Sequence, residues 1–372
     1  MDHLRHLFDA VPPAAVYAVT PFVTVALVLS FVTVYTRWQY YQSLRQFVHG
    51  PIPGKQQLVE SPQIPYTIPI LGNTLSFLAP RPGQYWDQLF TGHPRSTGIC
   101  TLLLGGRKTH ILFGDVNVGV APYGESLLTS RQYGASLDLG LTFGLASNVI
   151  PATFWMLMHL LNPSADPSIL PRIMKELHEA ELPDGSLDIP VLVSLPLLQS
   201  LWTETPRLYL DALVTRNLTE DLLLPLDEDG KRVVRLRKGE NVFAPSWLGH
   251  HDPVAWSSPG KSAANEFDAE RFVVRDAKTG RESFSVGGTA GKYFPFGGGR
   301  TVCPGRIFAK QEALGALAMV LLRFDFEVLG FVDEKKKPTE AFPGLARAFV
   351  GSAVVVPGGD VRVKIRRKQM CR

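Results

Sequence analysis

The sequence predicts a mainly α body with small β-sheets, an α+β fold class, behind one N-terminal transmembrane helix. Three observations lead to this prediction. Residues 14–36 are uncharged and apolar over a length that crosses a hydrocarbon core. Stretches of helical length and pattern occur at 141–161, 197–210 and 307–324. Shorter runs rich in β-branched residues, bounded by glycines, lie between them and predict strands.

The N-terminal segment is predicted to be a membrane anchor. Residues 1–13 would be a short lumenal terminus and 14–36 the span. A cleavable signal peptide is the alternative, but the apolar run is long and no small-residue cleavage site follows it cleanly. Arg37, Arg45 and Lys55 follow the span, so the positive-inside bias predicts a single-pass protein whose body faces the cytosol.

The remaining chain is predicted to divide into a linker and one body. Residues 37–80 are predicted to be a proline-rich linker, and its prolines and glycines from Pro51 to Gly72 predict a stiff spacer that is neither helix nor central strand. Residues 81–372 would form the folded body. With 372 residues and 45% hydrophobic content, the chain can bury a sizeable core.

The charges and cysteines exclude several function classes. The net charge is +4, and the basic runs, such as 335–337, lack interleaved aromatics, so nucleic-acid binding is not expected. An anionic membrane surface or an acidic electron donor remains open as a partner. Cys100, Cys303 and Cys371 are too far apart for a disulfide framework or a zinc knuckle.

Strand-like runs predict two hairpins and a C-terminal strand. The runs 99–104 and 110–113 are split by two glycines, and the runs 233–236 and 242–244 are joined around Gly239. Near the end, alternating Val and charged residues at 361–366 predict a half-buried strand.

Helical patterns predict the core. Residues 141–161 are apolar on nearly every face, as in a long buried helix, and 197–210 form a second helix. An amphipathic helix follows Cys303, with one stripe predicted to be buried: Ile307, Leu314, Leu317, Leu321 and Phe324.

The loop before this amphipathic helix is a candidate metal site. Cys303 lies just before the helix N-terminus, where unpaired backbone amides and the helix dipole stabilise a negatively charged sulfur. Glycines at 297–299 let the backbone approach a large flat ligand. A phosphate site is the alternative, but no lysine follows in Walker spacing.

The segment 294–306 resembles the haem-binding loop of the cytochrome P450 superfamily. That loop has an aromatic residue seven positions before its cysteine, glycines six and four before it, and a glycine two after. The matching residues are Phe296, Gly297, Gly299, Cys303 and Gly305. The resemblance implies that Cys303 is the axial ligand of a haem b iron. Thr301 stands where the family usually has Arg or His, so Arg300 is the candidate for a haem propionate.

Two further motifs resemble the same family in the same order. Glu204 and Arg207 match its Glu-x-x-Arg motif, and Arg271 matches its second arginine motif, with Ala269 in place of a proline. The resemblance implies a buried triad of Glu204, Arg207 and Arg271 that holds the cysteine loop against the core.

A histidine pair lies between these two motifs. His250 and His251, with Trp256, resemble the stretch that precedes the second arginine motif. A metal site is conceivable, but adjacent side chains point apart and no third ligand has helical spacing. A structural role is therefore the favoured interpretation.

The stretch 146–155 resembles the oxygen-binding helix of the cholesterol 7-alpha-hydroxylase and prostacyclin synthase branch. Asn148 and Val149 stand where most members have an acid and a threonine that relay protons. The resemblance makes Asn148 and Thr153 the candidate catalytic residues, with Ala146 beside them. The alternative is an apolar core helix with an incidental Asn and a proline kink.

The resemblance does not extend to much of the middle of the family's fold. Only the segment of about residues 115–141 lies between the first hairpin and the long helix. In the family, several helices lie between these two elements. The expected fold is therefore a cytochrome P450 fold that lacks much of its middle helices, from a truncated product or a degenerate paralogue.

The function implied by the resemblance is a haem-thiolate monooxygenase of the endoplasmic reticulum membrane. It would take electrons from NADPH-cytochrome P450 reductase and oxidise an apolar sterol, terpenoid or polyketide, in secondary metabolism. Leu213, Val214, Val350 and Gly351 would contact the substrate. The alternatives are a haem isomerase or dehydratase of the prostacyclin-synthase type, and a catalytically silent truncated paralogue.

Overall fold

The protein is described by a computed structural model, and its fold class is mainly α with small sheets, as predicted. The structure describes residues 13–48, 57–79, 82–113, 144, 147–227, 230–257, 262–299, 302–346, 350–351 and 353–368. The helices are α1 (Pro13–Val48), α2 (Thr74–Phe77), α3 (Pro82–Gly92), α4 (Val149–Leu161), α5 (Ile169–Glu179), α6 (Ile189–Leu192), α7 (Pro196–Tyr209), α8 (Ser246–His250), α9 (Pro253–Trp256) and α10 (Arg306–Arg323).

The strands form five small sheets. They are β1 (Gln57–Val59), β2 (Ile99–Leu104), β3 (Arg107–Leu112), β4 (Leu210–Asp211), β5 (Leu213–Asn217), β6 (Leu222–Pro225), β7 (Arg232–Leu236), β8 (Asn241–Pro245), β9 (Val273–Arg275), β10 (Glu282–Phe284), β11 (Phe324–Val332), β12 (Pro338–Thr339), β13 (Ala353–Val354) and β14 (Asp360–Arg367). Their orders are β1-β7-β6, β10-β9, β12-β11-β14, β13-β4 and β2-β3-β8-β5.

The N-terminal helix is longer than the predicted anchor. α1 continues to Val48, through the first residues of the predicted spacer. Charged residues such as Arg37 end an apolar span but do not end a helix, since arginine is a good helix former. Thr20–Phe47 is long and apolar enough to cross a membrane, with a mean hydropathy of 1.4. A signal sequence near the N-terminus passes the same test, so length and composition alone leave the assignment open.

The predicted spacer packs against the body. β1 pairs in parallel with β7 at the edge of its sheet, which agrees with the expectation that this segment supplies no central strand. The Thr36 hydroxyl donates to the Tyr66 carbonyl at 2.9 Å, and the Leu103 amide donates to the Asn73 side chain at 3.0 Å. A proline-rich composition limits helix formation but does not prevent pairing at a sheet edge, so the segment can pack against the body through β1.

The two predicted hairpins have different outcomes. β2 and β3 pair antiparallel, with Cys100 opposite Ile111, as predicted. The second hairpin is wrong: β7 pairs with β1 and β6, while β8 pairs with β3 and β5. The Gly239 amide donates to the Leu218 carbonyl at 2.8 Å, so the connection crosses between two sheets instead of closing a turn.

The helical core lies where α4, α7 and α10 meet. Trp155, Leu201 and Leu317 are fully buried there. On α10 the buried residues begin at Ala313, so the predicted stripe is confirmed for Leu314, Leu317 and Leu321. The residues at its two ends, Ile307 and Phe324, are exposed. Ile307 is 64% exposed because the first two turns of α10 extend beyond the packed core. The strand predicted at the C-terminal end occurs as β14, paired with β11.

Candidate cofactor and active site

Cys303 lies in a closed loop three residues before α10 begins. Its amide donates to the Phe296 carbonyl at 2.8 Å, which folds the loop back on itself. Gly297 and Gly299 have φ values of +75° and +64°, a region that other residues rarely adopt. The Cys303 thiol is exposed. The loop therefore presents one accessible sulfur just before the N-terminus of a helix.

A second site residue, Arg216, was missed from the sequence. It lies on β5, is buried, and donates through Nη2 to the Gly298 carbonyl at 2.7 Å. A Cβ atom added at Gly299 would lie 3.3 Å from the same Nη2, so the glycine permits this close approach. The signal was the alternation of β5, in which Val214 and Arg216 share the buried face. A charged residue in an inward position is unusual enough to mark a site.

The residues of this loop fit a haem. The donor set combines one accessible sulfur for the iron with a buried guanidinium beside the loop for a carboxylate. Glycine at 305 leaves the sulfur uncovered, since an added Cβ there would lie 3.8 Å from Cys303 Sγ. The prediction for Arg300, like the Thr301 position, lies outside the described residues.

Glu204, Arg207 and Arg271 meet in one buried cluster. Arg207 donates from Nε and Nη2 to the two Glu204 oxygens at 2.5 and 2.7 Å. Arg271 Nε lies 3.0 and 3.1 Å from the same two oxygens, and the Asp268 amide donates to Oε1 at 3.0 Å. Buried charges are tolerated when paired and hydrogen-bonded in this way.

The two arginines of the cluster also bind the backbone around it. Arg207 Nη1 donates to the carbonyls of His250 and Ala264 at 2.8 and 2.6 Å. Arg271 donates to the carbonyls of Trp256, Ser262, Ala263 and Glu266. The cluster therefore fixes residues 250–257 and 262–271 against α7.

His250 connects this buried cluster to the cysteine loop. Its Nε2 accepts from the Phe294 amide at 3.0 Å, and its Nδ1 donates to the Pro206 carbonyl at 3.2 Å. Burial, with His251 and Arg207 nearby, holds the pKa of His250 well below its usual value, so the ring is neutral. Both ring nitrogens are engaged by backbone, which is a structural role.

The candidate catalytic residues contact backbone. Asn148 Oδ1 accepts from the Val354 amide at 3.2 Å, and its Nδ2 lies 3.4 Å from Ser147 Oγ. The Thr153 hydroxyl donates to the Val149 carbonyl within α4 at 2.9 Å. Ala146 lies outside the described residues. The structure thus brings Asn148 to β13 and leaves Thr153 bonded within its own helix.

A cavity of about 480 Å³ lies elsewhere in the body. Trp155, Tyr209, Trp247 and His251 are among the residues that line it, and none of the lining residues belongs to the cysteine loop. The Trp155 and Tyr209 rings stack with centroids 3.7 Å apart. Burial lowers the pKa of His251 to about 3, so this wall carries a neutral ring. The cavity and the accessible sulfur are therefore separate features.

Comparisons with known proteins agree with these motifs. The sequence model of the family described as Cytochrome P450 matches residues 140–348. A cytochrome P450 monooxygenase of Penicillium decumbens is 33% identical over 288 residues, which cover 73% of this chain and 51% of the relative. The cholesterol 7-alpha-monooxygenase of Cricetulus griseus is 31% identical over 248 residues, covering 63% and 45%. The crystal structure of the cytochrome P450DA heme domain is 21% identical with a TM-score of 0.43, covering 61% and 43%. The chain spans about half the length of the curated relatives it matches.

Proposed function

Because the chain belongs to the cytochrome P450 family, we propose that it is a haem-thiolate monooxygenase that inserts one oxygen atom from O₂ into an apolar substrate. The observation that carries this proposal is the exposed Cys303 thiol, held in a closed glycine loop beside the buried Arg216. When bound, haem b would supply the activation of dioxygen.

The residues of this chain would hold the cofactor and its loop. Cys303 would ligate the iron as an electron-rich thiolate. Arg216 would pair with a haem carboxylate, in a bidentate geometry that suits a guanidinium. Phe296, Gly297, Gly299 and Gly305 would shape the surface on which the ring lies, and Arg300 is a second candidate for a carboxylate.

The buried cluster of Glu204, Arg207 and Arg271 would act through the loop. It touches neither substrate nor iron in this proposal, but it fixes the segment that carries His250, and His250 holds the Phe294 amide at the start of the loop. Its contribution is to keep Cys303 in place.

The substrate proposed for the site is an apolar sterol, terpenoid or polyketide. Support comes from relatives named as a fungal monooxygenase and a cholesterol 7-alpha-monooxygenase. Leu213, Val214, Val350 and Gly351 would contact it, and Asn148 and Thr153 would shape the part of the wall at the start of α4.

Membrane attachment is part of the proposal. α1 would anchor the chain in the endoplasmic reticulum membrane with its body facing the cytosol, near an NADPH-cytochrome P450 reductase. An exposed apolar edge lies beside α1, because Thr33 and Thr36 bond to Thr67 and Tyr66. We call these exposed residues the apolar edge: Ile68, Ile70, Leu71, Leu75 and Leu78. An edge held at the depth of the last turn of the predicted span would meet the lipid headgroups.

Photocrosslinking tests the attachment. Benzoyl-phenylalanine placed at Leu75 of the full chain in phosphatidylcholine nanodiscs should form lipid adducts. The matched control is Val274, which is 50% exposed against 59% for Leu75 but lies on β9, which pairs with β10 and is not part of the apolar edge. Equal lipid adducts at both positions, or none at Leu75, would contradict membrane contact of the edge.

Oxygen incorporation tests the activity. Membranes that contain the chain, the reductase and NADPH should transfer one atom of ¹⁸O₂ into a sterol or terpenoid, and Cys303→Ala should abolish the transfer. The control Cys100→Ala removes a buried thiol from β2 and should retain it. A haem-loaded chain that transfers no ¹⁸O from ¹⁸O₂ into any tested substrate would contradict the proposal.

Two other functions have specific support. Asn148 and Val149 replace the acid and alcohol of a proton relay, which favours an isomerase or dehydratase; that enzyme would turn over a peroxide without reductase. The half-length match to the relatives favours a catalytically silent protein, which would fail to retain haem when haem is abundant.

A further inference from the structure

A strained turn lies beside the proposed substrate contacts. Ala353 has φ +64°, in the left-handed region that favours glycine, and Gly351 has φ +82°. A Cβ atom added at Gly351 would lie 2.9 Å from Leu213 Cδ1, so the turn is pressed against the start of β5. Strain of this kind persists only where the surroundings determine the conformation.

Two side chains hold this turn by its backbone, one at each end. The Val354 amide donates to Asn148 Oδ1 at 3.2 Å, and the Gly351 amide donates to Asp211 Oδ2 at 3.4 Å. Ala353 also pairs with Asp211 across the β13–β4 ladder. The two acceptors come from the start of α4 and from β4, which are remote in sequence.

Asp211 is unusual among the acids of this chain. Its side chain is fully buried, and its Oδ1 accepts from the Trp86 indole at 3.2 Å. No Lys, Arg or His forms an ion pair with it among the residues that the structure describes. A carboxyl group can serve both donors, since it offers each of them its own oxygen. Burying it without a cation is costly, so the contacts that it makes need an explanation.

We propose that Asn148 and Asp211 are positioning residues that form a two-point clamp on the backbone amides of Gly351 and Val354. By holding the turn against Leu213, the clamp fixes the shape of the substrate wall and so discriminates between substrates of different bulk. The effect on substrates rests on the proposed function. The Asn148 oxygen is then engaged by backbone and orients the turn, in place of a reacting oxygen.

Amide hydrogen exchange on the full chain in nanodiscs tests the clamp directly. Asn148→Leu keeps the volume and removes the acceptor, so the Val354 amide should exchange about five- to tenfold faster. Asp211→Leu should do the same at Gly351. Asn148→Asp retains an acceptor oxygen and should restore slow exchange at Val354. Thr205→Val is the control, because the buried Thr205 hydroxyl bonds only within α7.

The outcome that overturns the clamp is equal exchange at both amides in the wild type and the folded variants. If Asp211→Leu fails to fold, Asp211→Ser gives the same measurement, because a serine hydroxyl is too short to reach the Gly351 amide.

Azole binding tests the effect on the substrate wall. Imidazole needs little space in the site, whereas 4-phenylimidazole is bulky. In haem-loaded protein, each leucine variant should therefore change the ratio of the affinities for 4-phenylimidazole and imidazole by at least about fivefold. Equal changes for both azoles would overturn the role of the clamp in discrimination. A chain that loads no haem would contradict the proposed function instead, while the exchange rates would still decide the clamp.

Discussion

Glu204 illustrates how the site depends on single residues. Its carboxylate accepts from Arg207, Arg271 and the Asp268 amide, and it has no exposed surface. Arg271 donates to both Glu204 oxygens and to four backbone carbonyls, so removing it leaves buried acceptors short of donors, which costs far more than the loss of a surface ion pair.

Arg271→Gln should therefore lower the free energy of unfolding by about 3–5 kcal/mol. The matched control is Arg275→Gln, since Arg275 also pairs with two glutamates but is 57% exposed, and should change it by less than about 1 kcal/mol. Denaturant unfolding of both variants measures the difference. Similar losses of stability in the two variants would show that the buried cluster does not hold α7 and the segments around it together.

Asp211 predicts a pH dependence of stability. Burial raises its pKa to about 7 in the folded chain, from an ordinary value near 3.8. Between these values the folded state holds a proton that the unfolded chain has released, so the stability from this group is full below about pH 4 and is lost as pH rises through 7.

Asp211→Asn removes this titration, so the variant should gain stability relative to the wild type as pH rises from 5 to 8. Within this range only the interval from pH 5 to the Asp211 pKa of about 7 contributes, which sets an upper bound of about 3 kcal/mol. Thermal unfolding at the two pH values measures the gain. A difference between variant and wild type that stays constant with pH would show that the Asp211 pKa is not raised.

At the scale of elements, the contact of α8 with the cysteine loop is tight. A Cβ atom at Gly249 would lie 2.8 Å from the Lys292 carbonyl and 2.9 Å from the Phe294 ring. Backbone cannot move aside as a flexible side chain can, so α8 and the loop need glycine at this crossing.

Gly249→Ala should therefore cost about 1–3 kcal/mol of stability and weaken retention of haem. Gly315→Ala in α10 is the control, because an added Cβ there meets nothing within 4 Å. Alanine in a helix interior should stabilise by about 0.5–1 kcal/mol. Denaturant unfolding measures the loss of stability in one variant and the gain in the other. A gain of stability for Gly249→Ala would contradict the close packing.

The sequence predicts elements better than it predicts their partners. Periodicity locates α7, α10 and β2–β3, because it reports which face is buried. It does not report which strand lies alongside, so β7 and β8 were wrongly paired. Motif spacing locates Cys303 and the cluster of Glu204, Arg207 and Arg271. Arg216 and Asp211 were missed, since each is a single polar residue whose meaning depends on contacts between distant elements.

At the scale of the whole molecule, the elements that hold the cysteine loop are connected to one another within this chain. α7, residues 250–257 and 262–271, and the described part of the loop are joined by hydrogen bonds, although the chain spans about half the length of its relatives. We therefore expect Cys303 to be presented correctly by this chain alone.

A reduced, carbon monoxide difference spectrum of membranes that contain the chain tests this expectation most directly. Wild type and Cys100→Ala should show a thiolate-type Soret band, and Cys303→Ala should not. A band that survives Cys303→Ala, or no band in the wild type when haem is abundant, would contradict ligation of haem by Cys303.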